Sequence, residues 1–396
     1  MKLKLYIILF FVNVTILISQ INLMDVKPWA YQLQGVNINA ISADSKIKLI
    51  VIDYSQDGTD ELKFTKQQID IIRNSGKYAI SYISIGEAED YRYYWKPEWK
   101  LNPPLWLGPE NPNWLGNYKV KFWLKEWQDI IFNYIDTIIS QGFDGIYLDI
   151  IDGWYYWAVE NPQKPDADSL MCRFVINIRE HVNTIKGNPD FIIIPQNGEN
   201  IIFSNNVTEQ LRNQYLNSIN AIGIEDVFFY GEKDEDNSFN PDLSRLKTIQ
   251  NYQFAGKQIY SIEYLTEELK IGQYHDEALK EGFVPYSCTR ALDKLCPAMI
   301  TSIKQESEIK DFIINPFSEF SIINYQLSIP SNVKIDIYNS LGSKISTLVD
   351  EWKEAGNYSE KLNVGAIHEL PMPSGMYYIR IQIGNSIETG KLILLK

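Results

Sequence analysis

Carboxylates and amides recur where short apolar runs of this chain stop. The sharpest case is GFDGIYLDIID, Gly142 to Asp152. Its run Gly145 to Leu148 ends at Asp149, Asp152 follows, and Trp154, Tyr155, Tyr156 and Trp157 crowd in behind. Other runs end at Asp53 followed by Tyr54, at Glu87 and Glu89, at Gln196 and Asn197, at Glu225 and Asp226, and at Glu263. One such residue alone is ordinarily a solvated loop side chain. Acids and amides at most strand ends make a ring, and carboxylates held against apolar surroundings acquire the shifted pKa values that proton transfer uses.

The elements that must carry this ring follow from periodicity. Trp127, Ile130, Ile131, Tyr134, Ile135, Ile138 and Ile139 recur at helical spacing, and Gly142 stands where a C-terminal cap belongs. Eight apolar runs alternate with helical patterns: Trp29 to Gln34, Lys48 to Asp53, Tyr78 to Ile85, Gly145 to Asp149, Phe191 to Gln196, Ala221 to Glu225, Gln258 to Glu263 and Gly282 to Tyr286. Thr65 with Gln68 forms a capping box before a helix that Gly76 ends, and Pro241 opens a helix that Gly256 closes. Eight such repeats predict an α/β fold, a (β/α)8 TIM barrel over residues 20–300, with function at the C-terminal strand ends. A doubly wound open sheet is the structural alternative. The long third connection, Gly86 to Lys125, holds Arg92 and Trp95, Trp99, Trp106, Trp114 and Trp123. Loops of this length form lids or binding walls, and most of these tryptophans are expected to prop the loop up.

Composition narrows the chemistry. The 396 residues, 45% hydrophobic and 22% charged, suit a folded barrel plus a smaller domain. A net charge of -13 excludes nucleic acid as a partner and favours a neutral or cationic ligand. The three histidines, His181, His275 and His368, have no paired spacing, so multi-histidine zinc sites are excluded, and no GxSxG elbow supports a serine triad. Neither a metal nor a cofactor is implied. Cys288 and Cys296 form either a short disulfide or buried free thiols, and Cys172 stays unpaired.

Residues 1–19 read as a signal peptide, with Lys2 and Lys4 before an apolar run, and no stretch suits a stable membrane span. Beyond a polar linker over 301–314, residues 315–396 carry alternating runs at Ile322 to Leu327, Val333 to Tyr338, Met376 to Ile383 and Ile387 to Leu395. These predict a small all-β sandwich.

The stretches IDYSQDGTDE, SYISIGEAEDYRYYW, NPPLWLGPENPNW, GFDGIYLDIID and GFVPYSCTRALDKL resemble glycoside hydrolase family 114. That resemblance implies a (β/α)8 barrel acting on polysaccharide, in the manner of an endo-α-1,4-polygalactosaminidase. It carries the fourth-strand acid onto Asp149 and the sixth-strand acid onto Glu225. LDIID and Ile224 depart from the more polar family pattern around those acids. The expected roles are Glu225 as general acid/base and Asp149 as nucleophile or water-activating base, working on a cationic amino-sugar polymer. Asp53, Tyr54, Glu87, Arg92, Trp95, Asp152, Trp154, Gln196, Asn197 and Glu263 are the expected substrate-binding residues, with Arg92 the one cation among them. The alternative is a non-catalytic carbohydrate-binding or surface-adhesion module on the same fold. The tail, from NPF to MPSGMYYIRIQIGNSIETGKLILLK, is similar to the C-terminal sorting domain of the type IX secretion system. It implies that machinery as a partner and a secreted or cell-surface location, with Ala366 to Met372 as an inserted loop.

Overall fold

The computed structural model describes residues 21–298, 313–314, 320–327, 331–354, 356–363, 375–383 and 386–394. The expected signal peptide, most of the expected linker and the Ala366 to Met372 insertion lie outside the described residues.

Eight strands run in parallel: β1 Trp29–Tyr31, β2 Leu49–Ile52, β3 Tyr78–Ser84, β4 Gly145–Asp149, β5 Ile192–Pro195, β6 Ala221–Glu225, β7 Gln258–Tyr264 and β8 Val284–Cys288. Each lies on one of the eight predicted runs. Strands β1 to β5 form one sheet in chain order and β6 to β8 a second. An isolated parallel bridge from Gln196 to Gly223 joins the two sheets. Across the other junction the Trp29 indole donates to the Val284 carbonyl at 2.9 Å. Strand order never reverses, as a doubly wound sheet requires, so the arrangement is TIM-barrel-like.

The centre is filled by aromatic rings. Trp29 lies 6.0 Å from Tyr31, 6.2 Å from Tyr147, 5.2 Å from Tyr260 and 5.9 Å from Tyr286, centroid to centroid. Rings this large need a gap opposite them, and Gly223 supplies it: a Cβ there would stand 1.8 Å from the Tyr147 hydroxyl. The centre is therefore a packed core, and the site can only be at the strand ends.

Around the strands, helix Lys125–Ser140 buries Trp127, Ile131, Tyr134, Ile135 and Ile138 and stops before Gly142, whose φ is 87°. Thr65 and Gln68 form the expected capping box of helix Lys66–Asn74. Helix Leu243–Phe254 departs from expectation, because Asp242 caps it by accepting from Ser244 and Arg245 while Pro241 lies outside. A side-chain acceptor meets orphan amides that proline cannot serve.

The third connection is more ordered than a loop. Strands Glu87–Glu89, Asn117–Val120 and Leu107–Glu110 form an antiparallel sheet, in that order. Trp95 packs 4.8 Å from Tyr118 and 5.4 Å from Trp99, which lies 5.0 Å from Trp106, and Trp106 in turn lies 4.9 Å from Trp127. These rings tie the lid to the barrel.

The C-terminal region has two antiparallel sheets. One holds Ile313–Ile314, Phe320–Leu327 and Gly356–Asn363, the other Lys344–Lys353, Ser331–Asn339, Gly375–Ile383 and Ser386–Leu394. Their core includes Ile323, Val333, Ile335, Ile337, Ile379 and Ile381. Among the described residues no helix is long and apolar enough to cross a membrane.

Candidate active site

A cavity of about 710 Å3 opens at the C-terminal strand ends, lined by Tyr31, Asp53, Tyr82, Glu87, Asp149, Asp152, Gln196, Asn197, Glu225 and Tyr264 among others. Parity explains this lining. Side chains alternate along a strand, and the register pairs Tyr82 with Tyr147 and Ser84 with Asp149. Residues in phase with the central Tyr147 therefore face the cavity: Tyr82 and Ser84 on β3, Asp149 on β4, Gln196 beyond β5.

Asp149 accepts from the Tyr82 hydroxyl at 2.7 Å and, through its other oxygen, from the Ile150 amide at 2.8 Å. Ile150 reaches that position with φ 59°, a left-handed conformation costly for a β-branched residue. Burial, followed by the charge of Glu225, pushes the Asp149 carboxyl up to about 8. Asp152 is more exposed, and partial desolvation by the surrounding cavity walls, followed by Glu225, pushes it up to about 6.

Glu225 is held from both sides. Asn197 Nδ2 donates to Oε1 at 2.8 Å, and the Tyr264 hydroxyl donates to Oε2. Asn197 cannot flip, because its Oδ1 accepts from the Glu225 amide at 3.1 Å and from Arg245 Nη2 at 3.2 Å. Arg245 is itself clamped by Glu199 at 2.5 Å. The Tyr264 ring lies 3.9 Å beneath the Arg290 guanidinium, which pairs with Asp226 at 2.9 Å.

Other expected site residues are placed differently. Arg92 Nη1 reaches both Asp53 oxygens, at 2.9 and 2.7 Å, and its Nε bonds Glu89 at 2.6 Å, so this cation is consumed by a buried triad. Glu87 accepts from Lys119 and Asn111, both at 2.9 Å. Glu263 faces away from the cavity and accepts from the amides of Val227 and Phe228 at 2.7 Å and Phe229 at 3.3 Å. Tyr54, Trp95 and Trp154 are not among the lining residues. Tyr54 bonds the Gly58 carbonyl at 3.0 Å, and Trp154 is buried. Arg92 is not the one cation nearby, since Arg290 also lines the cavity, Arg245 donates to Asn197 and to the Glu225 carbonyl, and Lys119 pairs with Glu87. Tyr82, Tyr264, Arg245 and Arg290 do not stand out in the sequence. Phase with Tyr147 and Tyr260 would have picked out the two tyrosines.

Cys288 and Cys296 form a disulfide, closing the segment that carries Arg290, and Cys172 is a buried free thiol.

These contacts have consequences for stability. Glu263→Ala leaves buried amides without an acceptor and is expected to cost about 2–4 kcal/mol, read by denaturant titration; an unchanged midpoint would contradict the clamp. Asp149 and Glu263 are raised to about 8 and Asp152 to about 6, against about 4 in an unfolded chain. Between those values the folded state binds more protons, so stability present at acid pH is lost as pH climbs. The thermal midpoint is expected to fall from about pH 5 to about pH 8, and Asp149→Asn, which cannot ionise, to flatten that fall. A midpoint that rises over this window would be inconsistent with the burial of these acids.

Residues 19–302 match the glycoside-hydrolase family GH114, and residues 315–395 match the secretion system C-terminal sorting domain. An uncharacterized protein of Methanocaldococcus jannaschii is 40% identical over 277 residues, covering 67% of this chain and 77% of its own. One of Thermotoga maritima is 37% identical over 297 residues, covering 73% and 88%. In fold, the chain is similar to the glycoside hydrolase domain of PelA from Pseudomonas aeruginosa, with TM-score 0.53, 14% identity, and coverage of 69% of this chain and 98% of that one. It is also similar to Ega3 of Aspergillus fumigatus, solved in complex with galactosamine, with TM-score 0.50, 16% identity, and coverage of 68% and 95%. The tail marks the chain for type IX secretion to the cell surface or medium. With a TIM-barrel-like ring of strands and a cavity of carboxylates at its C-terminal end, the chain belongs to glycoside hydrolase family GH114 and is a glycosidase.

Proposed function

We propose that the barrel cleaves the glycosidic bonds of an amino-sugar polysaccharide, with Asp149 and Glu225 as the working carboxylates. One observation carries this reading. Asp149, Asp152 and Glu225 line a single cavity and, among the described residues, stand in no ion pair, whereas Glu87, Asp226 and Glu199 each pair with a cation and Asp53 and Glu89 share Arg92. The excess of negative charge is thus smaller than the sequence implies and more concentrated.

Hydrolysis needs one carboxyl that holds a proton for the leaving oxygen and one ionised carboxylate across the sugar plane. Burial and the charge of Glu225 keep a proton on Asp149 at neutral pH. A sugar ammonium among Asp149 and Asp152 favours their ionised forms, the state Asp149 needs as nucleophile or base. Glu225, oriented by Asn197 and Tyr264, then takes the acid/base role. The same ammonium relieves the cost of crowding three acids, which a neutral or acidic sugar cannot do.

Activity on partly deacetylated galactosaminan is expected to exceed that on the fully N-acetylated polymer. It should fall as salt rises to about 0.5 M, where exposed charges are screened within a few ångströms. Equal rates on both polymers at every salt concentration would remove the cationic substrate.

A further inference from the structure

The lid presents one tryptophan differently from the rest. Trp95, Trp99, Trp106 and Trp123 pack against other rings. Trp114 is 58% exposed, yet it lines the same cavity as Asp149 and Glu225. Among the described residues it makes no ring or cation contact, whereas Tyr91, also on the wall, has the Arg92 guanidinium 4.9 Å from its ring centre. Leu115, beside Trp114, is 83% exposed and lines the cavity as well.

The exposure is not that of a loose tip. Trp114 sits in the turn between strands Leu107–Glu110 and Asn117–Val120. Its amide donates to the Asn111 carbonyl at 3.2 Å, and its carbonyl accepts from Asn117 at 3.1 Å. Asn111 Oδ1 accepts from Asn113 at 3.1 Å, Glu110 takes the Gly116 amide at 2.8 Å, and the Gly116 carbonyl accepts from Asp90 at 2.8 Å. The Asn111 side chain also donates to Glu87 inside the cavity, at 2.9 Å. The turn is thus fastened to the cavity wall while its indole is left uncovered. Exposing an indole forgoes a large burial gain, and the fastened backbone denies the turn the freedom that would offset that loss. An uncovered aromatic with few rotatable bonds on a fastened turn is how proteins provide contact area at low entropic cost.

We propose that Trp114, with Leu115 beside it, forms an outer sugar subsite, on which a residue of the polysaccharide stacks its C–H face away from the bond being cleaved. This rests on the reading of the cavity as a glycan site, and it adds a reason for preferring long chains. The indole is neutral, so the subsite holds a ring by shape whether or not its nitrogen is acetylated, and the charge selection is left to the Asp149, Asp152 and Glu225 end.

The test is the hydrolysis of deacetylated α-1,4-galactosamine oligomers of increasing length by the full mature chain, by Trp114→Ala and by Trp114→Phe. For the unaltered protein, KM is expected to fall as the oligomer grows long enough to reach the hairpin. In Trp114→Ala, KM for long oligomers rises about tenfold, kcat holds, and the dependence on length disappears. Trp114→Phe restores most of it. A KM in Trp114→Ala that still falls with length as before, or a loss of kcat equal at every length, would overturn the subsite and leave the glycosidase reading standing. If the unaltered protein cleaves no oligomer of any length, the amino-sugar reading itself fails, and the subsite falls with it.

Discussion

Asp149→Asn and Glu225→Gln are each expected to lower kcat by about 10²–10⁴-fold, the range that a positioned acid or base contributes. Both replacements are near-isosteric. The amide introduced by Asp149→Asn keeps a carbonyl oxygen for the Tyr82 hydroxyl or the Ile150 amide, and the one introduced by Glu225→Gln keeps one for Asn197 or Tyr264. The Asp149 carboxyl is raised to about 8 and so is largely uncharged at neutral pH, and the Asp149→Asn variant, uncharged at every pH, should unfold at a temperature no lower than the unaltered protein. Steady-state rates on polymer, read beside thermal unfolding, separate chemistry from folding. A folded variant with full turnover would exclude that residue from the reaction.

Arg92→Met is expected to damage the fold instead, by about 3–5 kcal/mol, because it strands two acids in the interior. The Arg92 side chain is 1% exposed, and its partners Asp53 and Glu89 are 9% and 5% exposed. Burial already raises the Asp53 carboxyl even with Arg92 against it, so without the guanidinium the charged form has little left to hold it. Denaturant unfolding should show the loss, lessened at acid pH where Asp53 can protonate. An Arg92→Met variant as stable as the unaltered protein would mean that the triad contributes no net stability. The same result would leave Arg92 available for substrate, as its position in the sequence suggests.

What the sequence makes legible and what it hides divide along strand phase. Apolar runs alternating with helical patterns are enough to locate all eight strands, and Asp149, Glu225, Asp152, Gln196 and Asn197 do line one cavity. Run ends alone cannot say which of two adjacent residues faces inward. Strand β7 continues one residue past the predicted run, so Tyr264, in phase with Tyr260, faces the cavity, while Glu263 turns outward to the amides of Val227 and Phe228. Tyr54 is out of phase with Asp53 in the same way. Charge pairing is hidden for a different reason. Lys119 lies 32 residues from Glu87 and Arg290 64 from Asp226, and no local pattern announces a partner at that distance. The tail strands Lys344–Lys353 and Gly356–Asn363 escape the sequence reading because charged and polar residues interrupt the alternation that marks the others.

The most direct measurement is product analysis after incubation of partly deacetylated galactosaminan with the unaltered chain and, in parallel, with Asp149→Asn and Glu225→Gln. New reducing ends and shortened amino-sugar oligosaccharides are expected with the unaltered chain alone. Oligosaccharides released equally by all three proteins would contradict the assignment of Asp149 and Glu225, and intact polymer with the unaltered chain would contradict the proposed substrate.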